Sequence, residues 1–181
     1  MTSYGAKDLA RQFLTVRANT INIAEELDEA SYSFRPTPDA RSVAELLGHI
    51  ALLTRFNLQV HGQDKATTLA GYNFPALMAP HIAEEQRPRT KAELIQLLRE
   101  EGEKFASFVE PLSDSFLDEM VGMPPGGGPA KSRFEMLLGP KEHEMSHRGQ
   151  LMLIQRMLGQ VPPLTRAMNE RMAAMAAAQK L

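Results

Sequence analysis

The chain has no cysteine among its 181 residues, which excludes disulfides, thiolate metal ligands and a cysteine nucleophile. Any thiol chemistry must use a thiol brought in from outside. It also lacks an apolar run approaching the roughly 20 residues that cross a bilayer, so a soluble chain with no membrane partner is expected. No basic stripe is present: lysines and arginines are scattered and the formal net charge is −2. The electrostatic footprint of a nucleic-acid binder is therefore missing. The opening Met1-Thr2-Ser3-Tyr4-Gly5-Ala6-Lys7-Asp8 turns polar at once, without the apolar stretch of a secretory signal, and a cytoplasmic location is the expectation.

What is present is ordinary globular material, 43% hydrophobic and 23% charged. The length suits one domain over residues 1–181, with its core at about 7–158 and a helical extension at 159–181. Leu9, Phe13, Val16, Thr20, Ile23 and Leu27 recur at spacings of three and four, which predicts a first helix from about Tyr4 to Ala30. Pro36 and Pro38 end that region.

Three serine or threonine residues, each followed three positions later by glutamate, mark further helix starts: Ser42/Glu45, Thr90/Glu93 and Ser132/Glu135. The helix after Ser132 runs to about Leu158 and must absorb Pro140, which should kink it just before His143. Residues 62–89, punctuated by Gly71, Pro75, Pro80 and Pro88, read as a long irregular connection, a kind that is usually functional or partly helical. After Val161-Pro162-Pro163, the Ala- and Met-rich segment from Leu164 to Leu181 reads as a terminal helix. Four amphipathic helices with no convincing strand predict an all-α bundle.

The chemistry lies in three histidines. His143 and His147 stand one helical turn apart, a spacing at which two imidazoles can grip one ion. The catalytic pattern for a divalent metal is three protein ligands plus an exchangeable position. His49, on an otherwise apolar face with Leu46, Leu53 and Phe56, is the candidate third ligand. His143-Glu144-Met145-Ser146-His147 also matches the H-E-x-x-H string of zinc peptidases, in which Glu144 would be a general base. No histidine follows His147, however, and Glu170 lies beyond Pro162-Pro163. Glu144 remains a weak catalytic candidate, and Glu142 or Glu144 could orient a ligand's second nitrogen. His61 and His81 read as exposed loop residues. Arg148 reads as a structural arginine ahead of a contact with substrate or a second subunit. The methionines from Met145 to Met175 read as core or interface filler.

The segment from Arg35-Pro36-Thr37-Pro38-Asp39 into Val43-Ala44-Glu45-Leu46-Leu47-Gly48-His49-Ile50, with His143-Glu144-Met145-Ser146-His147-Arg148-Gly149-Gln150-Leu151, resembles the DinB (DinB/YfiT) superfamily over about Lys7 to Leu158. The resemblance implies a four-helix bundle with one long crossover, to which the terminal segment adds a C-terminal extra helix. It also implies one divalent metal, nickel, zinc or iron, on His49, His143 and His147, and a homodimer. Among the activities it implies are transferases and isomerases that use a low-molecular-weight thiol such as mycothiol, bacillithiol or glutathione with a small electrophile. A metal-dependent hydrolase and a non-catalytic, metal-stabilised binding or stress-response module stay open as alternatives.

Overall fold

The computed structural model describes residues 4–179. Helix α1 (Ala6–Glu26) is followed by a 3-10 turn at Glu29–Ser33, so the first helix ends one turn earlier than its apolar spacing suggests. Helix α2 (Val43–Leu52) starts at the Ser42 capping box, with Ser42 Oγ accepting the Glu45 amide and the Glu45 carboxylate accepting the Ser42 amide. It is extended by a short turn, α3 (Arg55–Asn57), and by a π-helical turn at Leu58–Gln63. The long connection is not irregular throughout. It contains helix α4 (Phe74–Glu85), capped by the Asn73 side chain and tolerant of Pro75 because that residue sits in the first turn. Helix α5 (Lys91–Val109) starts at the Thr90 capping box. A short helix, α6 (Asp114–Leu117), leads into a two-residue antiparallel pair of strands, β1 (Met120–Val121) and β2 (Lys131–Ser132). Helix α7 (Arg133–Met157) follows, unbroken through Pro140, and α8 (Pro163–Ala178) completes the described chain.

Helices α1, α2, α5 and α7 form the bundle. The inward positions of α1 are all buried, and they pack in two layers. In one, Phe13 meets Phe105 edge-on with ring centroids 4.7 Å apart, beside Leu9 and Leu137. In the other, Ile23, Leu47, Ile50, Leu98, Leu151 and Ile154 close the end nearer the histidines. A third, smaller apolar group gathers Val60, Leu69 and Val121 beneath the connection. Helix α8 buries no residue among those described, and Met168, Met172 and Met175 are each more than half exposed. No helix among the described residues is long and apolar enough to cross a membrane.

Candidate metal centre

Helix α2 carries His49 and α7 carries His143 and His147, and the packing of the bundle brings the three rings together. Their ligand-capable nitrogens all lie within 4.8 Å of one another. His143 Nε2 is 2.7 Å from His147 Nε2 and 3.1 Å from His49 Nε2. The helical spacing of His143 and His147 stacks the two rings at 4.6 Å between centroids. The cluster sits at the open side of the bundle rather than in its core: His143 is exposed, while His49 and His147 are half-buried.

The outer nitrogens of two rings are held. His49 Nδ1–H donates to Glu85 Oε1 at 2.9 Å, and that carboxylate lies 3.9 Å from Arg41. His147 Nδ1–H donates to Gln150 Oε1 at 2.8 Å. With those hydrogens placed on Nδ1, the neutral rings of His49 and His147 turn bare Nε2 lone pairs toward the third ring. Only His143 can place a hydrogen between them, so three crowded nitrogens share at most one proton while the rings are neutral. The donor set fits a divalent cation better than it satisfies itself. Burial is the largest cause holding both His143 and His147 below the ordinary imidazole pKa. Neighbouring positive charge, from the other rings and Arg41, adds to it. Low pKa values keep lone pairs available at neutral pH.

Glu144 does not belong to this cluster. One position along α7 from His143, it points into the bundle, is fully buried, and accepts Arg17 Nε on both oxygens at 3.0 Å, with Arg17 Nη2 at 2.9 Å. Arg17 also donates to the Leu98 carbonyl at 2.7 Å and the Ile50 carbonyl at 3.1 Å, tying α1, α2, α5 and α7 together. The peptidase-like string is thus half site and half core. The outer nitrogens of His49 and His147 are oriented by Glu85 and Gln150 instead of Glu142 or Glu144.

The other two histidines also depart from the sequence reading. His61 lies on the π turn, completely buried, accepting at Nδ1 from Arg133 Nη1 at 3.1 Å. Burial, then the Arg133 charge, pushes its pKa down to about 4. His81 is on α4, half-buried at the wall of a cavity of about 740 Å³ that His49 and His143 also line. Leu52, Leu53, Phe56, Phe74 and Met78 form much of one side, and Met123, Met136, Leu138 and Pro140 the other. Two rings of the triad, His49 and His143, therefore face a mostly apolar chamber.

A family model for the DinB superfamily matches residues 12–151, a span that runs from α1 through α7 and contains all three histidines. The chain is a member of the DinB superfamily. Among DinB-related proteins, YjoA of Bacillus subtilis is 25% identical over 154 residues, covering 85% of this chain and 91% of that protein. The crystal structure of that DinB-like protein aligns with a TM-score of 0.61 at 22% identity, over 84% of this chain and 93% of the other. YfiT of Bacillus subtilis, described as a probable metal-dependent hydrolase with an unusual four-helix bundle topology, aligns at 0.64 with 14% identity over 88% and 91%. A DinB-like protein from Bacillus cereus gives 0.65 with 16% identity over 86% and 94%. These structural likenesses establish the DinB fold for this chain.

Sequence reasoning overlooked the residues that support the DinB triad. Gln150 was within reach of it, since three positions along a helix from His147 is a contact spacing. Glu85 and Arg17 were not, because their partners lie 36 and 127 residues away and only the folded bundle joins them.

Proposed function

We propose that this DinB-superfamily protein is a metal-dependent enzyme that activates a small exogenous nucleophile against an electrophile held in the adjoining cavity. The observation that carries the reading is the convergence of three imidazole nitrogens, two with their far sides fixed by Glu85 and Gln150, at the mouth of an apolar chamber. His49, His143 and His147 would hold one divalent ion, nickel, zinc or iron. An ion in such a site supplies an electrophilic position that acidifies a thiol or water. A thiol starts near pKa 8.5 and water near 15.7, which favours the thiol as the nucleophile at neutral pH.

The chain's own residues do the rest. Glu85 and Gln150 fix ring orientation, Arg17–Glu144 fixes the spacing of the helices that carry the rings, and the cavity excludes water from the electrophile. No cysteine is available to compete as nucleophile, and Glu144 is engaged in the core. The likeness to YfiT supports a hydrolytic variant of the same site, with water in place of thiol. The experiment is a screen of mycothiol, bacillithiol, glutathione and water against epoxide, halide and maleyl-type electrophiles, using metal-loaded and chelator-treated protein. Turnover is expected only in the loaded form. Turnover that survives chelation, or none with any pair, would contradict the proposal. The reading includes a homodimer in which the exposed methionine stripe of α8 meets a second copy.

A further inference from the structure

The chamber beside the histidines has a composition that selects its occupant. Its lining is dominated by Leu52, Leu53, Phe56, Phe74, Met78 and Met136, and at about 740 Å³ it falls within the 300–1,000 Å³ typical of small-molecule sites. Phe56 and Phe74 lie with ring centroids 6.1 Å apart and their planes only 30° from parallel, and Tyr72 continues the row 6.2 Å beyond. Phe56 and Phe74 make an aromatic wall, and Tyr72 backs it from outside the lining. Methionines from α4, α7 and the strand region supply flexible apolar surface that adapts to irregular shapes.

The charged groups at the rim argue as strongly. Lys131 is the lysine of the lining, it is about half exposed, and it already faces Glu135 at 3.5 Å. Glu85 is committed to His49 and stands near Arg41, and Glu142 adds a further carboxylate at the exposed edge. No arginine lines the chamber among the described residues, and carboxylates outnumber ammonium groups around it. A phosphate, sulfonate or carboxylate on the body of a ligand would find no cation in the lining but Lys131, which already faces Glu135, and would meet three acidic neighbours.

We infer that this cavity binds an uncharged small molecule with a bulky apolar body, its reactive group directed toward His49 and His143. The inference deepens the proposed function by naming the class of the electrophile, and it rests on that reading only for which end reacts. The cavity itself is a property of the bundle and the connection, independent of a bound ion. Gly139 lines the chamber on the α7 side and has open space where a Cβ would stand, so a side chain can be added to this wall without a clash at its Cβ.

The test uses the full chain after chelation and two fluorescent probes that share one skeleton, neutral N-phenyl-1-naphthylamine and its sulfonated analogue 1-anilinonaphthalene-8-sulfonate. The neutral probe should bind saturably at one per chain and at least about tenfold tighter than the sulfonate. Gly139→Leu should weaken the neutral probe about tenfold while leaving thermal stability equal or higher, since leucine is the better helix former. Met78→Gln should weaken it comparably with the helical circular dichroism unchanged. Metal-loaded protein should bind the neutral probe with the same affinity. No saturable binding, a preference for the sulfonate, indifference to both substitutions, or binding that requires the ion would each overturn the inference. Metal stoichiometry is measured separately, so an empty cavity and a failed metal site give different results.

Discussion

Replacing Glu144 with alanine tests whether the peptidase-like string is a core clamp or a catalytic element. Glu144 is fully buried and Arg17 is 2% exposed, so the substitution strands a guanidinium where water cannot reach it. Removing one partner of a buried pair costs about 3–5 kcal/mol. The lower half of that range applies here, because Arg17 keeps its bonds to the Leu98 and Ile50 carbonyls and loses only those from Nε and part of Nη2. Escape is restricted, since Arg17 Cγ lies 3.0 Å from where a Cβ on Gly102 would be, leaving little slack on the α5 side. Against a domain stability of about 5–15 kcal/mol, a loss of roughly 3 is large and measurable. Urea unfolding of chelator-treated protein, followed by helical circular dichroism, isolates this term from metal binding. The double variant Arg17→Met with Glu144→Leu should recover most of the loss, because apolar residues of similar volume replace a buried pair at small cost. A loss below about 1 kcal/mol in the single variant, or a double variant no better than either single one, would refute the clamp.

Glu85→Gln should leave the fold intact and weaken divalent-metal affinity about 10–100-fold, as losing the carboxylate behind a ligating histidine does, and a competition titration against a chromophoric chelator reads it. His61 gives a pH dependence. Its folded pKa of about 4 lies below the ordinary value of 6.5, so the unfolded chain binds the extra proton first. Stability is then full above pH 6.5 and falls between 6.5 and 4, by up to about 3 kcal/mol. His61→Asn, which keeps an acceptor toward Arg133, should flatten that acid limb in urea midpoints measured from pH 7.5 to 4; an unchanged limb would assign it to other groups. Truncation after Pro162 should leave helical unfolding cooperative, since no residue of α8 is fully buried and its ties to the bundle are surface bonds such as Arg166–Glu26, and should convert a dimer to a monomer by light scattering. A full-length monomer would reject the α8 interface.

The bundle was legible because its signals are local. Apolar spacing on α1 and the serine and threonine caps at Ser42, Thr90 and Ser132 place three helix starts on the residue. Helix α4 was hidden by Pro75 and Pro80 and by its lack of buried positions, for a helix that covers a cavity shows no clean apolar stripe. The face that His49, Leu53 and Phe56 share along α2 and α3 reads as core in sequence, and it lines the chamber instead. Periodicity reports which residues avoid water, and a cavity wall and a packed core look alike to it. The same limit explains His61: nothing nearby in sequence announces Arg133, 72 residues on. Likewise His143 and His147 lie at the rim of the bundle, and the inward residue at that level is Glu144.

The central claim is that His49, His143 and His147 together hold one divalent ion. Elemental analysis of the purified chain and its variants tests it most directly. The account predicts one ion per chain in the wild type, near zero in His49→Ala, His143→Ala and His147→Ala, and an undiminished ion in His81→Ala and His61→Asn. Metal content unchanged in any of the first three variants, with the protein folded, would contradict it.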